Sequence, residues 1–193
     1  MASKLLFGSI GGLSYLYRTS RTSTLSEMAE DDQSSHPRQA ICILVTAANE
    51  TAKGIVHFSQ ENLLSRTHIT GAFSGLTPNH HHGFHIHQYG NLSNGCVTAG
   101  PHFNPFGQLH GGPESAMRHV GDLGNVASDA NGDGKFDLLD HQVTLHGPNS
   151  IVGRACVLHR LTDDLGTADN EESKKTGNAG ARIACGVIGL AHE

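Results

Sequence analysis

None of the four cysteines of this chain, Cys42, Cys96, Cys156 and Cys185, stands in a Cys-x-x-Cys pair, which removes zinc-ribbon and thioredoxin-like readings. Charge is scarce too. With 16 % charged residues and a formal net charge of −5, the composition argues against a nucleic-acid-binding surface. The first apolar stretch, "LLFGSIGGLSYLY", is too short and too interrupted to span a membrane. No segment sustains a helical period. Tryptophan is absent. Disorder throughout is excluded all the same, because charge is low and apolar runs recur.

What recurs are short runs rich in β-branched residues, punctuated by some of the 24 glycines. From residue 40 they read "AICILVTA", "KGIVHFSQ", "RTHITGAFSGL" and "GFHIHQYG". After Asp122 they continue as "DLGNVASD", "KFDLLD", "QVTLHG", "IVGRACVLH" and "ARIACGVIGLA". Spacing of about ten residues between such runs predicts an antiparallel sandwich or barrel. Two long segments, 88–121 and 160–180, interrupt the strands, and loops of that length in a compact domain are usually functional. Residues 1–38 differ in texture. The first 26 carry Lys4, Arg18 and Arg21 and no acidic residue. They read either as a targeting segment, closer to a transit peptide than to a secretory signal, or as a disordered extension. Met28 opens a second plausible start. Residues 39–193 are expected to form one domain.

Histidine is the outlier, with 15 copies. In "GFHIH", side chains two apart share a strand face, so His85 and His87 project together while Phe84 and Ile86 face the core. The first long loop adds His102, His110, His119 and Asp122 at intervals of eight, nine and three residues. Three imidazoles and a carboxylate suit a tetrahedral zinc site. His159 ends an apolar strand, "CVLH". Cys96 and Cys185, each beside glycine, are the better candidates for a bridge, whereas Cys42 and Cys156 sit in apolar runs as buried thiols. The residues alone leave that pairing open. "DANGDGKFDLLD" places Asp129, Asn131, Asp133, Gly134 and Asp140 at EF-hand spacing, but the flanks read as strands and argue against a calcium loop.

The motifs "GFHIHQYG", "AGPHFNP", "HGGP", "RHVGDLGN", "DDLG" and "EESKKTGNAGARIACGVIG" together resemble the copper/zinc superoxide dismutases over about residues 40–190. The resemblance implies an all-β fold, an eight-stranded antiparallel Greek-key barrel, and a homodimer loaded by a copper chaperone. It implies disproportionation of superoxide to oxygen and hydrogen peroxide, with copper and zinc as cofactors. Carried over by position, the copper ligands are His85, His87, His102 and His159, and the zinc ligands are His102, His110, His119 and Asp122. His102 bridges the metals and handles a proton. Asp163 links His85 to His110, Arg182 stands beside copper, and Lys175 and Thr176 line the substrate channel. Glu171 and Glu172 shape the field farther out. Cys96 and Cys185 match the family disulfide.

The same resemblance places Ile41, Ile43, Tyr89, Gly90, Val152, Gly153, Val187 and Leu190 at the dimer interface. It gives His82 a supporting role in the barrel and His80 and His81 none. Arg160 is expected to add positive charge near the second loop. A metal-binding module without turnover, such as a chaperone's dismutase-like domain, is the rival class. It would be expected to lack a copper ligand and to carry a Cys-x-Cys pair, and this chain does neither. Asn49 and Asn91 open glycosylation sequons that matter only in a secreted form. The expected compartment is the cytoplasm, with mitochondrial or secreted destinations as alternatives if residues 1–38 are a targeting segment.

Overall fold

The computed structural model describes residues 36–192. The extension expected over residues 1–38, its targeting alternative and the start at Met28 fall almost wholly outside them. Nine strands are described: β1 Arg38–Thr46, β2 Lys53–Gln60, β3 Thr67–Ser74, β4 His81–His87, β5 Ser93–Cys96, β6 Asp122–Ser128, β7 Gly134–Asp140, β8 Ala155–His159 and β9 Arg182–Leu190. Eight of them close an antiparallel barrel in the order β1-β2-β3-β7-β6-β4-β8-β9, and β5 lies outside it. No helix among the described residues is long and apolar enough to cross a membrane.

Alternation decides which residues fill the barrel. In β2, Gly54, Val56, Phe58 and Gln60 are buried and the residues between them are exposed. β1 sends Ala40, Cys42 and Leu44 inward and Ile43 and Val45 outward. Phe84 is the centre of the aromatic packing, edge-on to Phe73 and Phe136 with centroids 5.4 Å and 5.3 Å away. Each such pair adds about 0.5–1.5 kcal/mol beyond its burial.

β4 and β8 break the alternation, because nearly every residue in them is buried. They pair with each other, Phe84 to Leu158 and His87 to Ala155. Their inner faces join the core through Phe84, Ile86, Cys156 and Leu158. Their outer faces are covered by the two long loops. Gly121 lets the first loop lie against β4: its carbonyl accepts from the Ile86 N–H at 2.8 Å. A Cβ at Gly121 would stand 2.1 Å from the Ile86 oxygen. A histidine on the outer face of β4 is therefore roofed rather than solvated.

Three sequence expectations need correction. "QVTLHG" is not a strand. Val143 and Leu145 are buried, but their N–H groups are taken by side chains, Asp140 Oδ1 at 2.7 Å and Gln60 Oε1 at 2.7 Å, instead of by a neighbouring strand. "IVGRACVLH" turns over Ile151–Arg154 and becomes β8 only at Ala155. The first long segment is not strandless, since it contains β5 and a 3₁₀ turn, Val97–Ala99. The loop 129–133 is a β-hairpin tip, in which Asp129 Oδ1 accepts from the N–H groups of Asn131 and Asp133. Strands flank it on both sides, so the EF-hand spacing has no helices to serve it.

Candidate metal centre

The covered outer faces of β4 and β8 hold a histidine cluster. His85, His87, His102 and His159 are buried, and each offers a ring nitrogen within 4.8 Å of the other three. The backbone fixes which nitrogen faces inward. His87 Nδ1 donates to the Gly100 carbonyl at 2.7 Å, and His159 Nδ1 donates to the Gly180 carbonyl at 3.0 Å. Their Nε2 lone pairs are left to converge, 3.3 Å apart. His85 is reversed: its Nε2 donates to Asp163 Oδ2 at 2.9 Å, and its buried Nδ1 has no protein partner. His102 Nε2 is buried and unpartnered as well.

A second knot lies on the other side of His102. Its Nδ1 is 2.9 Å from Asp122 Oδ1, and His119 Nδ1 is 3.0 Å from the same oxygen. His110 Nδ1 is 3.0 Å from Asp122 Oδ2, yet its direction makes no hydrogen bond. By distance alone His85 also falls in this group, with His102, His110 and Asp122. Chemistry favours His119 as the fourth member. Its Nδ1 also lies 3.4 Å from His102 Nδ1, whereas the one free nitrogen of His85 belongs to the first group. Asp163 ties the two knots together, accepting from His85 on one oxygen and from His110 Nε2 at 2.8 Å on the other.

Charge within the cluster follows this arrangement. Burial, then neighbouring histidines, push His85 and His87 well below the ordinary imidazole value. Burial lowers His159 to about 3. Burial also lowers His102, against the pull of Asp122. His110 is the exception. Burial opposes its charge, but the carboxylates of Asp122 and Asp163 beside its two ring nitrogens outweigh it and raise the group to about 9. Burial pushes Asp122 upward, and the imidazoles of His102, His110 and His119 packed against its two oxygens hold it far below the usual carboxylate range instead. Inward-facing neutral imidazoles and one firmly ionised carboxylate are a donor set for divalent transition metals.

The cluster opens to solvent through a cleft of about 820 Å³, lined by His87, His159, Lys175, Thr176 and Arg182 among others. Arg182 is fixed by three carbonyls, Cys96 at 2.6 Å, Val97 at 3.2 Å and Gly100 at 2.7 Å. Gly100 thus accepts from both Arg182 and His87. Lys175 is exposed and stands 3.6 Å from Glu171. Thr176 Oγ1 lies 2.6 Å from Glu172 Oε1. Cys96 and Cys185 form a disulfide, and Cys42 and Cys156 are buried free thiols.

Residues 52–188 match the family model for copper/zinc superoxide dismutase. The chain is 52 % identical over 154 residues to "Superoxide dismutase [Cu-Zn]" of Cordyceps militaris, covering 80 % of this chain and 99 % of that protein. It is 51 % identical over 157 residues to the same-named protein of Paramecium bursaria Chlorella virus 1, covering 81 % of each. The chain belongs to the copper/zinc superoxide dismutase family.

Some features of this dismutase were not visible along the chain. Arg118, next to His119, is buried beneath the second knot. It donates to the carbonyls of His119, Val120 and Asp122 and pairs with Asp140. An arginine in a glycine-rich loop signals little when its partner is 22 residues away. Lys174 turns its Nζ onto the Gly166 carbonyl. Arg160 pairs with Glu50, which offsets the charge expected from it near the second loop. His82 is buried and its Nδ1 donates to the His159 carbonyl at 2.8 Å, whereas His81 is exposed.

Proposed function

We propose that His85, His87, His102 and His159 hold copper, and that His102, His110, His119 and Asp122 hold zinc, in an enzyme that disproportionates superoxide. One observation carries the assignment: buried ring nitrogens of His85 and His102 that no protein group satisfies, beside two Nε2 lone pairs aimed at the same place. Unsatisfied buried polar atoms are costly, and bound metals would satisfy these. Copper supplies the reversible one-electron couple that the reaction needs, and zinc, which has no redox chemistry, supplies fixed charge and geometry.

The protein's own groups do the rest. Arg182 presents a charged guanidinium, held by its three carbonyls, to a small anion entering the cleft. Lys175 adds positive charge at the rim of a protein whose formal net charge is −5, so attraction is local rather than global. Asp163 holds the Nε2 protons of His85 and His110 and thereby aims both Nδ1 atoms inward. His102 turns one nitrogen to each knot, and its Nε2 is the position from which a proton reaches the reduced substrate. Each turnover consumes two superoxide ions and two protons and yields one oxygen and one hydrogen peroxide.

The exposed apolar residues Ile43, Tyr89, Val187 and Leu190 form the face through which we read a homodimer. A copper chaperone is the partner proposed for metal loading. The ligand assignment is tested by reconstitution with both metals followed by metal analysis. His119→Ala is expected to lose zinc and keep copper, and His159→Ala the reverse. Loss of the same metal from both variants contradicts the division into two sites.

A further inference from the structure

The carboxylate of Asp163 reaches across to two histidines from a loop, and a loop residue needs something to hold it. The holder is Asn125, on β6, three residues beyond Asp122. Its Nδ2 donates to the Asp163 carbonyl at 2.9 Å, and its Oδ1 accepts from the Asp163 N–H at 2.8 Å. One amide side chain thus closes a two-point ring on one residue's backbone, the pattern by which one strand grips the next. Between them runs β4, where Gly83 is the partner of Asn125. A Cβ at Gly83 would lie 3.3 Å from Asp163 Cβ and 2.8 Å from Ala179 Cβ, so the bare backbone there gives Asp163 its space. From the other side Gly177, at φ +68°, closes over the carboxylate. A Cβ there would stand 1.8 Å from Asp163 Oδ1 and 2.5 Å from His110 Nε2.

We propose that Asn125 is a positioning residue for the metal centre: by clamping the backbone of Asp163 it holds the carboxylate in register with His85 and His110 together. The same strand carries Asp122, so β6 sets a ligand directly and the orientation of two more through Asn125. The inference rests on the reading of His85 and His110 as ligands.

The test uses zinc- and copper-loaded full-length protein and two readouts other than activity. One is the rate of zinc release to a chromogenic chelator; the other is the electron paramagnetic resonance spectrum of bound Cu(II). Partners that orient a ligand typically contribute about 10–100-fold to metal affinity, so Asn125→Ala is expected to release zinc about tenfold faster and to change the copper spectrum. In an Asp163→Ala background the same substitution is expected to add nothing to either readout, because Asn125 acts through that carboxylate. Asn125→Asp keeps the shape and loses the donor, and it is read the same way if the alanine variant does not fold. An Asn125 variant that melts lower but releases zinc at the wild-type rate, while Asp163→Ala releases it fast, overturns the inference alone. Unchanged release in Asp163→Ala overturns the ligand reading with it. Effects of Asn125→Ala and Asp163→Ala on release that simply multiply also overturn it.

Discussion

Removing the Cys96–Cys185 bridge tests how the barrel and the cleft are joined. The two residues are 89 apart in sequence, and the bridge fastens β5 of the first long loop to β9. In the loop-entropy model, closing a loop of that length constrains the unfolded chain by about 4–5 kcal/mol. For a domain of this size each kcal/mol moves the melting temperature by about 2–4 °C, so Cys96→Ser with Cys185→Ser is expected to lower it by about 8–20 °C. The measurement is calorimetry on metal-free protein at fixed concentration, which keeps metal binding out of the balance. A second effect follows from position. The carbonyl of Cys96 receives the 2.6 Å bond from Arg182, so freeing the loop loosens the guanidinium. Metal-loaded double variant is expected to consume superoxide more slowly per bound copper. A drop in melting temperature under about 3 °C, with an unchanged rate per copper, refutes the coupling.

Two further outcomes follow from the charges. Arg182→Ala is expected to retain copper and zinc, to react with superoxide more slowly, and to lose much of the rate's salt dependence; pulse radiolysis across ionic strengths reads both. An unchanged rate at low salt contradicts the role given to Arg182. In metal-free protein, His159 is held down to about 3, and His85 and His87 lie well below their ordinary value, all through burial. The unfolded chain therefore binds more protons between about pH 3 and the ordinary value of 6.5, and stability falls as pH drops through that window. His110, raised to about 9, has the opposite sign: its contribution is full below pH 6.5 and is lost as pH rises through 9. Denaturant midpoints are expected to peak near pH 6.5, and a midpoint that rises on acidification to pH 4 contradicts the burial argument.

Most of the barrel was legible because period-two alternation survives wherever one face is wet. β2 falls on "KGIVHFSQ" without a residue's difference. "QVTLHG" misled for a physical reason. Its apolar residues are buried like a strand's, but side chains of Gln60 and Asp140 take its N–H groups, and alternation carries no record of such partners. The candidate histidines could be picked out by type and spacing, and the structure brings His85, His87, His102 and His159 into one group and His110, His119 and Asp122 around the far side of His102. What spacing does not carry is the supporting shell. Arg118 with Asp140, Asn125 with Asp163, and the carbonyl of Gly100 shared by His87 and Arg182 are contacts between a loop and a strand that only the closed barrel brings together.

The central claim is that the histidines of β4 and β8 make superoxide chemistry possible by holding a redox metal. The most direct measurement is the rate of superoxide decay, with copper and zinc counted in the same sample, for the native chain and for His87→Ala. The account predicts rapid decay proportional to bound copper in the native protein. It predicts loss of copper and of nearly all activity in the variant, with zinc retained. Full activity in His87→Ala, or a native rate that does not follow copper content, would contradict it.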